Sequence, residues 1–505
     1  SDFNLAKGTT NFTLNGGRNE YAIMGWFYRA AYDYKGKYLA EVNGRYDGTS
    51  RFPRGKRYGF FPSFSAAYRI SEEAFFEPLR KTVDNLKIRL SYGSLGNQQI
   101  GYYDFIQTIT TKGSMGDYSF DGTILGQHAT VSDPVSGNQT WEKVISKNLG
   151  ADLNMFSNRL SLTADFYIRD TKGILGKGKS LPSIYGANEP QVNSNNLRTK
   201  GYELVLGWRD SFKLAGSTFS YGITGTFSDY TAEYTKCDNP SGLIGGPYVG
   251  KKYGEIWGYK VDGLFRNDEE AAEYASRVDL SKVAAGYYSA TGAYGKGVRG
   301  GDIKYLDRSG IVDGGKGTLE DPGDRRVIGN SSPRYQYGLT LNLSWYGFDL
   351  SVFMQGIGRL DWYPGADNLR FWGPYSRPYA TFIPKNFMSQ VWSESNPDAY
   401  LPRARAYTSL NSTQGTAYYT NDRYLQNLAY CRLKNLTLGY TIPKRLTSKV
   451  GIKECRVYFS GENLATWSAL KNDFLDPEQA AANSDKKSNV YPWCRTYSVG
   501  LNLTF

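Results

Sequence analysis

The sequence predicts an all-β protein, a transmembrane antiparallel β-barrel with about 13 of its strands in this chain. Two repeating patterns and one feature of composition carry that reading. In the closing stretch Tyr497, Val499, Leu501, Leu503 and Phe505 alternate with Ser498, Gly500, Asn502 and Thr504. Successive side chains of a strand point to opposite faces, so one face of this segment is apolar and the other wet. The same dyad sets Leu160, Leu162, Ala164, Phe166 and Ile168 against Ser161, Thr163, Asp165, Tyr167 and Arg169, and it returns over 86–93, 219–228 and 337–345. Mean hydropathy is only −0.52. No apolar run reaches the ~20 residues of a membrane helix, whereas a barrel strand needs apolar side chains only at alternate positions. The 42 Tyr, 57 Gly and 15% aromatic residues suit interfacial girdles and tight turns.

In chain order, strands are expected over 21–34, 37–48, 60–70, 86–94, 143–155, 159–171, 198–210, 216–229, 334–345, 347–357, 427–442, 454–463 and 495–505. Short connections fall at Tyr34-Lys35-Gly36-Lys37, Phe156-Ser157-Asn158, Ser211 to Gly216, Trp345-Tyr346-Gly347 and Pro443 to Lys453, with a medium one from Glu72 to Asn85. Long ones fall near 50–58, 95–142, 172–196, 231–332, 359–426 and 464–493. Outer-membrane barrels keep short turns in the periplasm and long loops outside, which places the carboxy terminus in the periplasm. An odd number of strands cannot close a bacterial barrel, and an open edge in lipid leaves backbone groups unpaired at several kcal/mol each. Residues 1–505 therefore read as one unit, the carboxy-terminal part of a larger barrel whose remaining strands come from an upstream chain. Ser1-Asp2-Phe3-Asn4 carries no export signal, which is expected upstream as well.

The net charge of +12 is spread over lumen faces and loops without a polybasic block, so contacts with water and outer-membrane lipid phosphates are expected, and nucleic acid is not. Cys237, Cys431, Cys455 and Cys494 lack the C-x-x-C spacing of metal or redox sites and read as unbridged thiols. His128 is the only histidine, without a nucleophile motif around it. A paired-carboxylate hydrolase is open to the acidic loops 231–332 and 464–493, but large loops over a barrel mouth fit binding or gating better, so no enzyme is expected.

A collinear series of motifs runs along the chain. Tyr38-Leu39-Ala40-Glu41-Val42-Asn43-Gly44-Arg45-Tyr46-Asp47-Gly48-Thr49-Ser50-Arg51-Phe52 opens it, followed by Phe61-Pro62-Ser63-Phe64-Ser65 and Leu90-Ser91-Tyr92-Gly93-Ser94-Leu95-Gly96-Asn97-Gln98. Then come Trp141-Glu142-Lys143, Asn148-Leu149-Gly150-Ala151-Asp152, Gly300-Gly301-Asp302-Ile303-Lys304-Tyr305-Leu306-Asp307, Phe353-Met354-Gln355-Gly356 and Glu462-Asn463-Leu464. This series resembles the SusC/RagA family of TonB-dependent outer-membrane transporters of Bacteroidetes. The resemblance implies a 22-strand barrel, of the size that encloses a plugged lumen, with the plug and a TonB-contacting segment upstream. It also implies a SusD-like surface lipoprotein as partner, and TonB-dependent active import of a large nutrient, an oligosaccharide or a peptide. A passive pore, or a scaffold barrel inside a larger surface complex, is the alternative. Lumen-facing Arg45, Arg89, Arg169 and Arg209 are expected to meet carboxylates of the plug.

The candidate substrate-binding residues are Trp257, Tyr259, Trp362, Tyr363, Arg370, Phe371, Trp372, Tyr375 and Arg403, because sugars and peptides both need flat apolar faces beside hydrogen-bonding or charged groups. The competing reading packs these rings into the loops' own cores or against the lipoprotein. No catalytic residue and no cofactor is assigned. The stretch Asp307-Arg308-Ser309-Gly310-Ile311-Val312-Asp313-Gly314 lacks the full ligand set of a calcium loop, so Asp302, Asp307 and Asp313 are an alternative structural calcium site, with solvated loop carboxylates the favoured reading.

Overall fold

A computed structural model describes residues 18–505, apart from 113–118, 121–122, 125–127, 180, 289–296, 378, 380, 382, 406–408, 411–414, 472–474 and 481–492. The opening residues of the chain, the side chain of His128 and part of the 464–493 loop lie outside the described residues.

Thirteen strands form one antiparallel sheet in which every strand pairs with its neighbours in sequence. They are β1 (Ile23–Tyr34), β2 (Tyr38–Thr49), β3 (Tyr58–Arg69), β4 (Val83–Asn97), β5 (Glu142–Met155), β6 (Leu160–Lys177) and β7 (Gln191–Leu214), then β8 (Ser217–Lys236), β9 (Arg334–Trp345), β10 (Phe348–Arg359), β11 (Tyr430–Thr441), β12 (Glu454–Ser468) and β13 (Thr496–Thr504). Each expected strand is present. The limits differ most in β6, β7 and β8, whose ladders continue past the apolar stretch into Asp170, Lys172, Arg198 and Glu233. Hydrogen bonding carries the strand on after the alternating pattern has ended.

Register makes the two faces continuous. One row joins Tyr32, Ala40, Ala66, Leu90, Leu149, Phe166 and Tyr202 across β1 to β7. A second joins Tyr221, Leu343, Leu350, Leu438, Phe459 and Val499 across β8 to β13. A one-residue slip anywhere would turn a strand's apolar set inward, so the rows fix the pairing. Aromatic rings bracket this outward face. Tyr34, Tyr38 and Tyr68 stack at one end of β1 to β3, with centroids 6.5 and 5.0 Å apart, and Trp26, Tyr46 and Tyr58 stack at the other, 5.9 and 5.3 Å apart. Eight residues of β1 separate the rows, about 27 Å of strand and about 20 Å along the normal of a tilted barrel, close to the height of a membrane band.

The connections divide as expected. Leu214 and Ser217 flank Ala215-Gly216, at φ +48° and +82°, while Trp345 and Phe348 flank Tyr346-Gly347, at +51° and +82°. Both are two-residue hairpins of the primed type, whose left-handed backbone matches strand twist. The first is tighter than Ser211 to Gly216, because Ser211 to Leu214 remain paired in β7. The Pro443–Lys453 connection holds a helical turn, Lys444–Thr447, followed by a 3-10 turn, Ser448–Val450.

Several charges of the inner face are paired within the wall. Arg89 on β4 donates to Asp152 on β5 at 2.9 Å and to Asp165 on β6 at 3.0 Å, bridging three strands. Arg456 donates to Asp349 at 2.9 and 2.5 Å, Arg29 to Glu41 at 3.0 and 2.9 Å, and Arg45 to Asp47 at 3.1 Å. Two of the arginines expected to meet carboxylates of a plug, Arg45 and Arg89, already pair with carboxylates of the wall. Arg209 donates to the Asn158 carbonyl and Arg169 lies over the Tyr167 ring. The partner carboxylate sits on the adjoining strand for Arg29, two strands away for Arg456, on both the next strand and the one beyond for Arg89, and two positions along the same strand for Arg45. None of the four cysteines forms a disulfide.

Candidate functional site

The loops at the end opposite the tight turns do not hang separately. Side chains from 259–312, 360–428 and 475–480 share one apolar core, containing Phe265, Leu280, Val283, Tyr287, Ile303, Tyr305, Trp372, Tyr424 and Leu428. The connections after β8, β10 and β12 thereby build one cap. Its helix α1 (Asp268–Arg277) starts at Asn267, whose side chain accepts from the Glu270 N–H, and places Asp268, Glu269 and Glu270 in the first turn, where the helix dipole favours negative charge. Glu270 then holds Lys304 at 2.9 Å.

A fully buried ion pair ties the cap's parts together. Arg405 donates to both oxygens of Asp302, at 2.9 and 2.6 Å, across 103 residues of sequence, and its guanidinium lies 4.1 Å from the centre of the Tyr287 ring. Asp302 is 1% exposed. Burial raises its carboxyl above the ordinary range, and the Arg405 charge opposes that shift. A second cluster anchors the cap to the wall: Arg432 at the top of β11, 2% exposed, donates to Asp476 at 2.5 Å, to Glu478 at 2.7 Å and to Thr466 at 2.9 Å.

The cap carries a half-open hollow of about 530 Å³ that is lined by Trp257, Tyr363, Tyr418, Tyr419, Lys282 and Arg325 among others. Trp257 stands on a short ladder in which 255–258 pairs with 326–330 and is steadied by Glu255, which accepts from its indole N–H at 3.3 Å. The Tyr363 hydroxyl donates to the Tyr419 carbonyl at 3.2 Å and accepts from Asn421 at 3.1 Å, and the Tyr419 hydroxyl donates to the Lys282 carbonyl at 2.8 Å. Tyr259 packs edge-on against Tyr419, and burial lifts its phenol to about 12, so it stays a neutral hydrogen-bonding group. No described residue lining the hollow is acidic. Flat rings beside two cations can hold a ligand with an apolar face and an anionic or strongly hydrogen-bonding edge.

Comparison with known proteins fits this architecture. A family model described as TonB dependent receptor-like, beta-barrel, matches residues 1–464. The chain belongs to that family. TonB-dependent receptor P26 of Formosa agariphila is 29% identical over 96% of the chain and 46% of its own length. TonB-dependent receptor SusC of Bacteroides thetaiotaomicron is 25% identical over 96% of the chain and 44% of its own length. Among solved structures, the RagAB peptide importer in its closed-closed state superposes with a TM-score of 0.71 at 21% identity, over 96% of the chain and 48% of that chain. The chain thus spans about half the length of the relatives it matches, and supplies a barrel portion of an outer-membrane family.

Three of the nine residues expected at a ligand, Trp257, Tyr259 and Tyr363, come together at the hollow although about 100 residues of sequence separate Tyr363 from the other two. Trp362, Phe371, Trp372 and Tyr375 do not reach it. They are at most 6% exposed and fill the cap core, as the packing alternative held. Trp372 and Tyr424 meet edge to face at 5.0 Å, and aromatic rings gain most from such mutual burial. Arg370 is exposed on the turn Leu369–Trp372. Arg403 is held over the Trp392 ring and within 3.7 Å of Asp268, so it grips the cap's own chain. Lys282, Arg325, Tyr418 and Tyr419 carried no sequence signal, since only folding brings them to Trp257.

Of the three aspartates of the alternative calcium site, Asp302 is engaged elsewhere, while Asp307 and Asp313 both lie near Asp324. Both oxygens of Asp302 are taken by Arg405, Asp307 accepts from the Gly310 N–H at 2.9 Å, and Asp313 accepts from the Gly315 N–H at 2.8 Å. No group of three or more metal-ligating side chains occurs among the described residues. With Asp302 held by Arg405, chelation by EDTA is expected to leave the melting of the cap unchanged. A calcium-dependent rise in melting temperature would contradict this assignment.

Proposed function

We propose that the chain forms the cap and most of the wall of a transporter that imports a large nutrient across the outer membrane, driven through TonB. The observation that carries this reading is the aromatic and cationic hollow of the cap, set above a wall whose inner face is polar and whose outer face is apolar. Tight turns lie at one end of the sheet and the cap at the other, so the cap faces outward and the carboxy terminus faces the periplasm. The free edges of β1 and β13 need partners in lipid, which the other half of the full-length protein supplies. That half carries the plug and the TonB-contacting segment, and a SusD-like lipoprotein covers the cap. RagAB is named as a peptide importer. Rings with two cations and no acid suit a glycan bearing uronate or sulfate groups, or the carboxylate end of a peptide. None of these roles requires bond-breaking chemistry.

Trp257→Ala in the full-length transporter is expected to weaken nutrient capture about tenfold, the equivalent of ~1.4 kcal/mol, with the barrel intact. Uptake of labelled peptides and labelled acidic oligosaccharides by whole cells measures it. Collapse of the proton gradient should stop uptake in the parent. Uptake that survives would favour the passive pore, and equal uptake by parent and variant would remove the hollow from the path.

A further inference from the structure

The outward face changes character sharply at the cap end of β5, β6 and β7. Below the boundary stand Leu149, Phe166 and Leu204, and above it stand Lys143, Lys147, Lys172 and Lys200. Register places these lysines closely. Lys147 and Lys200 flank Ile168 on either side, two strand spacings or about 10 Å apart. Lys143 and Lys172 are direct cross-strand partners. Like charges opposite one another destabilise a ladder unless an anion lies between them.

The neighbouring carboxylates answer these lysines only through space, Asp170 acting on Lys147 and Lys172 and Glu233 on Lys200, because each is bonded to another cation. Asp170 is paired with Arg198 at 2.7 Å, Asp229 with Arg334 at 2.6 Å, and Glu233 with Lys252 at 2.5 Å. None of the four lysine side chains has an ion pair or hydrogen bond among the described residues, and all four are exposed. Lys147 and Lys200 line a hollow of about 630 Å³ together with Leu90, Leu149, Phe166 and Tyr202 among others, with the Asp229–Arg334 pair also in its wall. The first six of these lie on the outward face by register.

We propose that this patch is a binding site for a phosphorylated, acylated glycolipid of the outer leaflet. Lys147 and Lys200 take the phosphate and sugar headgroup, Lys143 and Lys172 share a second anionic group above it, and an acyl chain lies along Leu90, Leu149 and Phe166. Two unpaired cations over an apolar groove, at the height where membrane meets water, match a ligand with an anionic head and an apolar tail. The site rests on the outward orientation of the cap given above.

The test uses the full-length transporter purified in mild detergent, as parent and as the Lys147→Gln/Lys200→Gln variant. Mass spectrometry of bound lipid is expected to find phosphorylated glycolipid on the parent and at least about tenfold less on the variant, since loss of two charge-assisted contacts is worth more than one decade. Added to delipidated protein, the purified glycolipid should raise the melting temperature of the parent alone, and its dephosphorylated form should raise neither. Equal retention by both proteins would overturn the proposal. So would an equal shift with inorganic phosphate alone, or a variant that differs only in self-association. Surface labelling of intact cells bearing an epitope inserted at Gly186, in the exposed loop between β6 and β7, reads the orientation independently. Failure of the orientation and failure of the lipid site are thereby told apart.

Discussion

Arg405→Ala is expected to destabilise the cap by about 3–5 kcal/mol, the range for removing one member of a buried ion pair. The cost arises less from the lost attraction than from what remains. Asp302 would keep its place at 1% exposure, with the Arg299 N–H, 2.8 Å away, as its remaining hydrogen-bond donor. Tyr287 would also lose the cation stacked on its ring. Arg405→Lys should recover only part of the loss, because an ammonium cannot make the two parallel contacts that a guanidinium fork makes. Replacing both partners, as Asp302→Leu with Arg405→Met, should come close to parent stability. Amide hydrogen exchange over 259–312 and 360–428 in the full-length protein measures all three variants. Parent-like protection in Arg405→Ala would show that the pair does not hold the cap.

Leu341→Arg is expected to cost about 2–4 kcal/mol of barrel stability, whereas Thr340→Arg, one residue away, should cost almost nothing. Leu341 lies on the outward face between Ile223 and Val352, near the middle of the apolar band. Thr340 faces inward between Thr224 and Phe353. A charge on the lipid side must leave water, while one on the lumen side keeps it. Urea unfolding of both variants in lipid vesicles reads the difference. Equal costs would mean that Leu341 does not face lipid.

Much of the wall was legible from sequence, for a reason visible in particular residues. The alternation of Leu160, Leu162 and Ala164 with Ser161, Thr163 and Asp165 is a property of neighbouring positions, and so are the left-handed hairpins at Ala215-Gly216 and Tyr346-Gly347. Strand ends were harder to read. At Asp170, Lys172 and Arg198 both faces meet water, and the hydrophobic contrast vanishes while the ladder continues.

The candidate site was legible only as a stock of aromatic side chains. Trp362 and Trp372 are core residues and Trp257 is a wall of the hollow, yet nothing in their neighbours along the chain separates the two roles. By itself the sequence determined a period-two wall with an apolar outside, a polar inside, tight turns at one end and long loops at the other, because these features depend on contacts two to four residues apart. The tertiary structure alone decided that the loops fuse into one cap, that Arg405 reaches Asp302 across 103 residues, and that Lys282 and Arg325 stand beside Trp257. Such meetings depend on how separate segments pack, and no local pattern records them.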